Sequence, residues 1–472
     1  MFAVLITVTI YCLDHHHSSK IQNSPVVACD LDSIKKRGKL IAVTDFNSTD
    51  YFLYKGEPMG FNYELLKSFS DNIGIDLEII SENHPEKAFR MLKSGEADLL
   101  AFNLTGNSSL QHNVLFTAPI GETRQVLVQH KPKNWRSLSN NEIDKKMVRT
   151  LHELGHKTIF VQSGSSHAEQ LITLAKEIGD SINIIEVPFE SEKLIQNVAK
   201  GEIDYTVCDE NIALVNASYY SDIDVSMPVS LPLDFTWGVR SSHSDVLLSE
   251  LNHWITSYKQ TSSYALLYAK YFKNVRSSTI VKSDFYALKT GKVSKYDDII
   301  RQFSVFIKWD WRLLASLICQ ESRFDPTVES YTGAFGLMQI MPDTGKNFGI
   351  DITASPENNI KAGIKYINWL HSIFDSKIPD EKERINFILA SYNAGPGHIL
   401  DAMKLAEKNG MNPEIWEGNV AVWLLKKSDP RYFRDSVVKN GYFRGKESVA
   451  FVSEVLNRYE HYKNIIPSEK TK

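Results

Sequence analysis

The apolar residues of this chain change their spacing once, and this change constrains the fold more than any other feature. From Leu40 to about Phe272, short β-rich runs alternate with amphipathic helical segments, a pattern typical of an α/β domain. From Asp297 onward the apolar residues recur at helical spacing, which predicts an all-α domain. The polar, lysine-rich stretch between them predicts a boundary. We therefore expect a leader and linker at 1–34, an α/β domain at 35–275, a linker at 276–293 and a helical domain at 294–466.

Length and charge exclude several classes of function. The chain has 472 residues, enough for two or three domains. Its 53 Lys and Arg against 57 Asp and Glu give a formal net charge of -4, so no basic surface for nucleic acid is expected. The triplet His15-His16-His17 has no Cys or Asp partner at ligand spacing, so we predict neither a metal site nor a cofactor. Cys208 and Cys319 are expected to be separate buried thiols.

The N-terminus carries an apolar run that predicts export from the cytoplasm. Met1–Tyr11 has the length of the hydrophobic region of a signal peptide but lacks the basic residues that normally precede it. Cys12 follows directly, where a bacterial lipoprotein carries its lipid, although the residue before such a cysteine is usually small. A lipid anchor on Cys12, a cleaved secretory signal and an unprocessed terminus all stay open. No stretch reaches the roughly 18 consecutive apolar residues of a membrane-spanning helix.

A short repeat predicts that the α/β domain has two similar lobes. Gly95-Glu96-Ala97-Asp98 stands between a helical segment and a β-rich run, and Gly201-Glu202-Ile203-Asp204 repeats this arrangement 106 residues later. In each copy the glycine suits the left-handed end of a helix, and the aspartate can accept hydrogen bonds from backbone amides.

The α/β domain resembles the family 3 periplasmic solute-binding proteins. The resemblance rests on the repeat, on the Asp209 that ends a strand, and on the motifs Gly60-Phe61-Asn62-Tyr63-Glu64-Leu65, Val114-Leu115-Phe116-Thr117-Ala118-Pro119 and Val161-Gln162-Ser163-Gly164-Ser165-Ser166. It implies a two-lobed domain that closes on a ligand. Ser165 and Ser166 would offer hydroxyl and amide groups to an anion at a helix start, and Asp209 would face an ammonium group.

One departure from that family bears on the ligand. Amino-acid binders of the family carry an arginine at the position of Leu110, where its guanidinium grips the ligand carboxylate. The neighbouring Gln111 and His112 cannot replace a guanidinium at neutral pH. We therefore expect the domain to sense a muropeptide or another amino-acid-like molecule, with a purely structural pair of lobes as the alternative.

Glu321 is the candidate general acid of the helical domain. The apolar stripe within Trp309–Pro326 predicts a helix with one buried face, and Asp325-Pro326 predicts its end shortly after Glu321. A carboxylate at this end feels the negative pole of the helix dipole, which together with apolar neighbours raises its pKa. A carboxyl that stays protonated at neutral pH can act as a general acid.

Three motifs in order make this segment resemble the goose-lysozyme-like lytic transglycosylases. They are Glu321-Ser322, Gly336-Leu337-Met338-Gln339 and Tyr392-Asn393-Ala394-Gly395. The resemblance implies a lysozyme-like fold, with Glu321 as the catalytic acid and base. It also implies that the groove binds peptidoglycan glycan strands through Ser330, Met338, Gln339, Tyr392 and Asn393. Phe451 stands where the family usually has a tyrosine.

The motifs supply one carboxylate, whereas most glycosidases use two. One suffices if the substrate contributes its acetamido group and its own C6 hydroxyl, so the expected product is a 1,6-anhydro-N-acetylmuramic acid end. Such a substrate places the protein at the periplasmic face of the outer membrane. The alternatives are a hydrolase of the goose-lysozyme type, which would need a second acid such as Asp325 or Asp343, and a receptor whose helical domain is inactive. Cleavage from chain ends or within strands, and the oligomeric state, stay open.

Overall fold

The computed structural model describes residues 30–104, 114–273 and 291–466. The first domain begins with lobe 1, which consists of the described residues 30–123 and 233–273. Its central sheet has the order β4-β1-β5-β13-β6, in which β1 runs parallel to β4 and β5 while β13 is antiparallel, and β7 also pairs with β13. The elements of lobe 1 are α1 (Leu31–Arg37), β1 (Lys39–Thr44), β2 (Phe52–Tyr54), β3 (Glu57–Met59), α2 (Phe61–Ile73), β4 (Asp76–Ser81), α3 (Pro85–Ser94), β5 (Leu99–Leu104), β6 (Val114–Phe116), β7 (Gly121–Thr123), β13 (Leu233–Arg240), α8 (Asp245–Tyr258) and α9 (Ser262–Tyr268).

Lobe 2, residues 125–230, is built around a second sheet of order β10-β9-β11-β8-β12. Its elements are β8 (Gln125–His130), α4 (Asn140–Asp144), β9 (Thr158–Gln162), α5 (Ser166–Ile178), β10 (Asn183–Val187), α6 (Ser191–Lys200), β11 (Tyr205–Asp209), α7 (Glu210–Tyr219) and β12 (Ile223–Pro228). The two crossings between the lobes run side by side, because Thr123 pairs with Leu233 where β7 meets β13. The α/β, two-lobed architecture expected from the sequence is confirmed.

The repeated motif ends equivalent helices in the two lobes. Gly95 closes α3 at a φ of 85° and Gly201 closes α6 at 72°, a backbone region that glycine enters without steric cost. In lobe 1 the aspartate of the motif, Asp98, accepts a hydrogen bond from the Ile41 amide at 2.9 Å and pairs with Arg37. The motif thus fixes the step from helix to strand.

The described part of the first domain starts before the expected boundary at residue 35. Helix α1 begins at Leu31, with Asp30 as its N-cap, and buries Leu31 and Ile34 in the core of lobe 1. Val293 is likewise buried in the core of the second domain, one residue before the expected start at 294. Apolar contacts therefore extend each domain slightly beyond the boundary read from the sequence.

The second domain is helical, as expected. Its elements are α10 (Asp297–Ser304), α11 (Trp311–Ser322), α12 (Pro342–Asn347), α13 (Pro356–Phe374), α14 (Glu381–Ala394), α15 (Pro396–Lys408), α16 (Ala421–Lys426), α17 (Pro430–Phe433) and α18 (Lys446–Ile465). Helix α11 lies at the centre, since nine of its residues, including Leu314 and Ile318, are buried. Nowhere in the described part of the chain is a helix both long and apolar enough to cross a membrane.

The hairpin β2–β3 of lobe 1 joins the two domains. Its turn, Lys55-Gly56, has positive φ at both residues, as a two-residue type I′ turn requires. The Tyr462 hydroxyl of α18 donates to the Gly56 carbonyl at 2.8 Å, and Arg458 forms an ion pair with Glu57 at 3.1 Å. A side chain at Gly56 would lie 2.6 Å from Phe324 and 2.9 Å from Cys319. The tip of the hairpin is therefore packed against α18 and the end of α11.

Candidate active site

Helix α11 carries Glu321 in its last turn. The helix starts at the N-cap Asp310, whose carboxylate accepts from the Arg312 amide at 2.9 Å and binds the guanidinium of the same residue. It ends at Ser322, because Arg323 and Phe324 adopt left-handed φ values of 51° and 60°. The chain therefore turns sharply just after Glu321 and before Asp325-Pro326, in agreement with the end expected from the sequence.

The Glu321 carboxyl is set up to hold a proton near neutral pH. Burial raises the pKa of Glu321 from 4.5 to about 8, because a low-dielectric surrounding disfavours the charged form. The C-terminal end of the helix dipole acts in the same direction. No hydrogen bond or ion pair to the carboxyl occurs among the described residues. A raised pKa favours the protonated carboxyl, which is the form that a general acid needs.

The loop at 328–341 is tied to the end of α11 and shaped by its own polar groups. The hydroxyl of Ser322, the residue that follows Glu321, donates to the Leu337 carbonyl at 2.8 Å. Within the loop, the Ser330 hydroxyl accepts from the Ala334 amide, and the Gln339 side chain donates to the carbonyls of Val328 and Gly336, each at 2.9 Å. Ser330 and Gln339 therefore hold the shape of the loop.

Met338 does not line a groove, contrary to the sequence-based expectation. Its side chain is fully buried, at 0% exposure, and packs on Gly363 of α13, where a Cβ would collide with the thioether. Its backbone amide donates to Asn359 at 2.8 Å. A side chain enclosed in this way cannot touch a sugar, so Met338 supports the loop from behind.

Tyr392 lies close to Glu321 but hydrogen-bonds elsewhere. Its hydroxyl donates to the Met338 carbonyl at 2.7 Å, and its ring meets Tyr366 edge to face at 5.3 Å. Burial, and then the charge of Glu321, raise the pKa of Tyr392 well above 10. The Tyr392 hydroxyl is therefore bound to the loop carbonyl, and Tyr392 lies near enough to Glu321 for its pKa to respond to that carboxyl.

The remaining residues of this candidate site lie toward α18. Asn393 is exposed, and its side-chain oxygen accepts from the Ser448 hydroxyl of α18 at 2.6 Å. Phe451, where the resembled family has a tyrosine, is 7% exposed and belongs to the core. A cavity of about 620 Å³ flanks the loop on the side of Glu329 and Phe335, a size typical of ligand pockets.

Neither alternative second acid shares the enclosure of Glu321. Asp325 is exposed and accepts from the amide and hydroxyl of Thr327, which lower its pKa. The Asp343 side chain is 92% exposed and pairs with Lys346 at 3.6 Å. Both carboxyls lie at the surface, so Glu321 is the enclosed carboxyl of these three.

A second cavity, of about 80 Å³, lies between the lobes of the first domain. Ser165, Ser166 and Asp209 all line it, so the structure brings together the three residues expected to contact a ligand. Hydrogen bonds cross the cleft from lobe 1 to lobe 2: Asn103 donates to Asp209 at 3.0 Å, and the Ser48 amide donates to Glu192 at 3.0 Å. The lobes are therefore closed. Leu110, Gln111, His112 and the anchor candidate Cys12 lie outside the described residues.

Two further features of the sites could not be predicted from the sequence. Asp45 and Asp50 line the same cavity as Asp209, although about 160 residues separate them from Asp209 in the sequence. Glu57, at the hairpin tip, reaches Arg458, which in turn donates to Gln320 beside Glu321 at 2.8 Å. In the portion of the chain that the structure covers, no three His, Cys, Asp or Glu side chains are arranged to hold a metal ion.

Comparison with known families matches each domain separately. Residues 40–274 match the bacterial extracellular solute-binding proteins, family 3, and residues 301–415 match the transglycosylase SLT domain.

Relatives are similar over nearly the whole chain. A protein from Desulfosudis oleivorans, named membrane-bound lytic murein transglycosylase F, is 31% identical over 90% of this chain and 90% of its own length. A protein of the same name from Photobacterium profundum is 30% identical over 93% of this chain and 82% of its own.

Solved structures match the first half of the chain. Holo ArgBP from T. maritima is 22% identical with a TM-score of 0.42, covering 50% of this chain and 97% of that one. An ancestral arginine-binding protein bound to arginine is 22% identical with a TM-score of 0.42, covering 50% and 99%.

Proposed function

The chain belongs to the membrane-bound lytic murein transglycosylase F family, and on this premise we propose how its residues cleave peptidoglycan. The enzyme breaks the β-1,4 bond between N-acetylmuramic acid and N-acetylglucosamine without water and leaves 1,6-anhydro-N-acetylmuramic acid ends. The observation that carries the mechanism is the single enclosed carboxyl of Glu321, whose pKa burial raises to about 8.

Glu321 serves as both acid and base. As the acid it protonates the glycosidic oxygen, the C1–O bond of the muramic acid breaks, and the positive charge that develops at C1 is stabilised by the acetamido group of the same sugar. The Glu321 carboxylate then accepts the proton of the C6 hydroxyl while that oxygen bonds to C1. The proton returns to Glu321, so atoms and charge balance and no water enters the product.

The surrounding residues shape the groove. Ser330 and Gln339 fix the loop that follows α11, and Tyr392 shields the carboxyl from water, which preserves its raised pKa. The Asn393 side chain is exposed, and its oxygen accepts a hydrogen bond from Ser448. Its amide nitrogen is therefore the atom that can donate to a sugar. Met338 acts only through its carbonyl and its packing.

Product analysis on purified peptidoglycan tests the mechanism. The digest should contain anhydro muropeptides, each one water lighter than a lysozyme product and without a reducing end. Reducing-end products would identify a hydrolase of the goose-lysozyme type instead, and the second acid would then be sought at Asp325 or Asp343. An undigested wall would favour an inactive receptor.

The first domain serves as a ligand sensor in this proposal. The supporting observation is the cavity between closed lobes, which Ser165, Ser166 and Asp209 line. A ligand changes activity only if its affinity differs between the active and inactive arrangements of the enzyme. Calorimetry of the full chain with muropeptides and with free amino acids, paired with rates on peptidoglycan, tests this. No heat and no change of rate with any of them would leave the lobes a structural role.

The protein is held at the periplasmic face of the outer membrane by a lipid on Cys12, within a leader and linker at 1–34. The proposed domains are 35–275 and 294–466, joined by 276–293, and each is extended at its start by packed residues, Leu31 and Ile34 in the first and Val293 in the second. The support is the apolar run before Cys12 and the polar residues after it. Mass analysis of the mature N-terminus is the test: Cys12→Ser should abolish the lipid and release the protein from membranes, and an unmodified wild-type terminus elsewhere would contradict the anchor.

A further inference from the structure

A positively charged surface lies beside the candidate active site, on α16, α17 and the chain that leads into α18. Residues 426–447 contain seven Lys and Arg against three Asp and Glu, whereas the whole chain has 53 against 57. Positive charge is therefore concentrated in this segment of a slightly acidic chain. The name basic patch is used below for the surface formed by Lys426, Arg434, Lys439, Arg444 and Lys446.

The segments that carry the basic patch are packed against one another. The ring of Phe433 on α17 meets the ring of Tyr442 edge to face at 5.7 Å. A side chain at Gly445 would lie 2.2 Å from the carbonyl of Leu424, so the chain before α18 lies directly on α16. The basic residues of these segments therefore share one surface.

The buried carboxylate of Asp401 on α15 holds the loop before α18 in place. It accepts from the backbone amides of Lys439 and Asn440 at 3.0 and 2.8 Å, and it forms an ion pair with the fully buried ammonium of Lys427 at 2.9 Å. Buried charges are stable in proteins only when they are paired in this way. Because Lys427 and Asp401 neutralise each other inside the domain, neither changes the charge of the surface above them.

The acids at this surface leave the basic patch without counter-ions. Asp429 pairs with Arg431 at 2.6 Å, and Asp435 pairs with Lys408 at 2.6 Å, while Glu447 is exposed. None of the five residues of the basic patch forms an ion pair with any carboxylate in the part of the chain that the structure describes. Four of the five are exposed, so their charged groups can reach an anion in solution.

The basic patch adjoins the exposed residue of the candidate active site. Ser448, at the start of α18, donates to the side-chain oxygen of Asn393 at 2.6 Å. The loop before α18 also touches the start of α15, where Asn440 donates to the Gly397 carbonyl at 2.9 Å. A polymer that is bound at Asn393 therefore has the basic patch next to it.

The chemistry of peptidoglycan indicates which anions this surface meets. The N-acetylated sugars of the strand are uncharged, and the free carboxylates belong to the peptide stems on the muramic acid residues. Guanidinium groups such as that of Arg444 match carboxylates in geometry, and the ring of Tyr442, which is 53% exposed, offers an apolar surface to the methyl groups of alanine.

We propose that the basic patch binds the carboxylates of the peptide stems while the sugars of the same strand lie at Glu321. The enzyme then prefers strands that keep their stems over strands that have lost them. This inference rests on the proposed transglycosylase function and adds a specificity determinant to it.

Titration with strands that differ only in their stems tests the proposal. Soluble glycan strands with uncross-linked stems are compared with the same strands after an amidase has removed the stems. The protein is the full chain with Glu321→Gln, which leaves the strands intact, and Cys12→Ser, which excludes a lipid anchor. We expect the stem-bearing strands to bind about tenfold or more tighter at low salt, with a preference that falls as salt screens the exposed charges. Equal affinity for both kinds of strand would overturn the proposal.

Two double variants of this protein locate the site. Arg444→Gln with Lys446→Gln should weaken binding of stem-bearing strands about threefold to tenfold, the effect of losing two exposed ion pairs, and leave binding of stripped strands unchanged. The matched control is Lys377→Gln with Lys382→Gln, which removes two exposed charges near the start of α14, the end far from Asn393. The control should bind both strands like its parent. An equal loss on both strands, or an equal loss in the control, would contradict a stem site, once thermal transitions show that each variant is folded.

An anionic lipid surface would be attracted by the same charges. Sedimentation of the Cys12→Ser chain with vesicles of phosphatidylglycerol and phosphatidylcholine distinguishes the two, and we expect the Arg444→Gln, Lys446→Gln pair to leave vesicle binding unchanged. Vesicle binding that this pair abolishes, together with equal affinity for both kinds of strand, would assign the basic patch to a membrane and overturn the proposal.

The titrations are independent of turnover, so they separate this inference from the proposed function. A wild-type protein that releases no anhydro muropeptides contradicts the proposed function, whereas the preference for stems is still measured with the Glu321→Gln chain. A wild-type protein that cuts both kinds of strand, while that chain binds them equally, contradicts only the stem site.

Discussion

The two domains each bury a carboxyl group with a raised pKa, and they do so for different reasons. Burial alone raises the pKa of Glu321 to about 8. For Asp45, burial is joined by the charges of four other acids, Asp50, Glu190, Asp209 and Glu82. The same direction of shift therefore arises from an apolar enclosure in one domain and from an enclosure crowded with like charges in the other.

The different surroundings of Glu321 and Asp45 suit their carboxyls to different functions. An isolated carboxyl in an apolar setting holds a proton that it can give to a leaving group and take back, which suits acid and base catalysis. A carboxyl among other carboxyls is affected by their charges, so its protonation is linked to theirs. The neighbours of each acid, more than the size of its shift, decide its function.

Of the variants proposed here, Glu321→Gln should cause the largest loss, because it removes the catalytic carboxyl. The amide keeps the shape of the side chain but has no transferable proton, so turnover should fall by at least the ~10² to 10⁴ typical of losing general acid catalysis. The rate of release of anhydro muropeptides measures this, and sedimentation with insoluble peptidoglycan should show that binding survives.

Asp325→Asn is the matched control, because this carboxyl is close in sequence but exposed. Its turnover should equal that of wild type. Substantial activity in Glu321→Gln, or a loss in Asp325→Asn as large as that in Glu321→Gln, would contradict a mechanism that uses one carboxyl.

The pH dependence of the rate tests the raised pKa of Glu321. The acid must be protonated in the free enzyme, so kcat/KM should fall as pH rises through about 8, the value to which burial raises the pKa of Glu321, approaching tenfold per pH unit above it. Initial rates across the alkaline range measure this limb. A fall centred near pH 4 to 5 would mean that Glu321 is hydrated as in a model peptide.

Much of the catalytic site could be predicted from the sequence because its parts are local. The helix periodicity of α11 and the motif at 336–339 identify Glu321 and its loop in the sequence, and the bond from Ser322 to Leu337 joins them in the fold. The orientation of Met338 could not be read from its motif, since it depends on Gly363 of another helix, which leaves space for the thioether. The bond from the Tyr392 hydroxyl to the Met338 carbonyl likewise depends on the fold, because 54 residues separate the two in the sequence.

The cleft acids could not be predicted for a different reason. Asp45 and Asp209 come together only because two lobes with separate sheets close on each other, and nothing in the spacing of distant residues encodes that closure. The alternation of strands and helices predicted the lobes, while the hairpin β2–β3 and its contact with α18 required the fold.

Gly56→Val tests whether the two domains pack against each other at the hairpin tip. We expect a smaller effect, on the free energy of unfolding. The new side chain would meet Phe324 at 2.6 Å and the Tyr462 hydroxyl at 2.7 Å, so the free energy of unfolding should fall by about 1–3 kcal/mol from overpacking. Gly74→Val is the control, because Gly74 has a similar φ of 71° but no neighbour within 4 Å of its Cβ position. Urea denaturation of both variants measures the difference, and equal losses would mean that backbone strain accounts for both.

Asp45→Asn should have the smallest effect of these variants, a change in melting temperature that depends on pH. Because the pKa of Asp45 is raised in the folded protein, the folded state loses stability as pH rises above the pKa of the unfolded chain, and an amide avoids this loss. At pH 7 the variant should melt higher than wild type by about 2–4 °C, the shift expected for roughly 1 kcal/mol in a domain of this size. At pH 3, where the acid is protonated in both states, the difference should disappear.

Glu321→Gln should also melt higher than wild type at neutral pH, since burial raises the pKa of Glu321 to about 8 and the amide avoids the cost of ionising a buried acid. This gain too should disappear at pH 3, where the carboxyl is protonated in both the folded and the unfolded state. A gain of either variant that persists at pH 3 would mean that the amide stabilises the fold by its contacts and not by removing a buried charge.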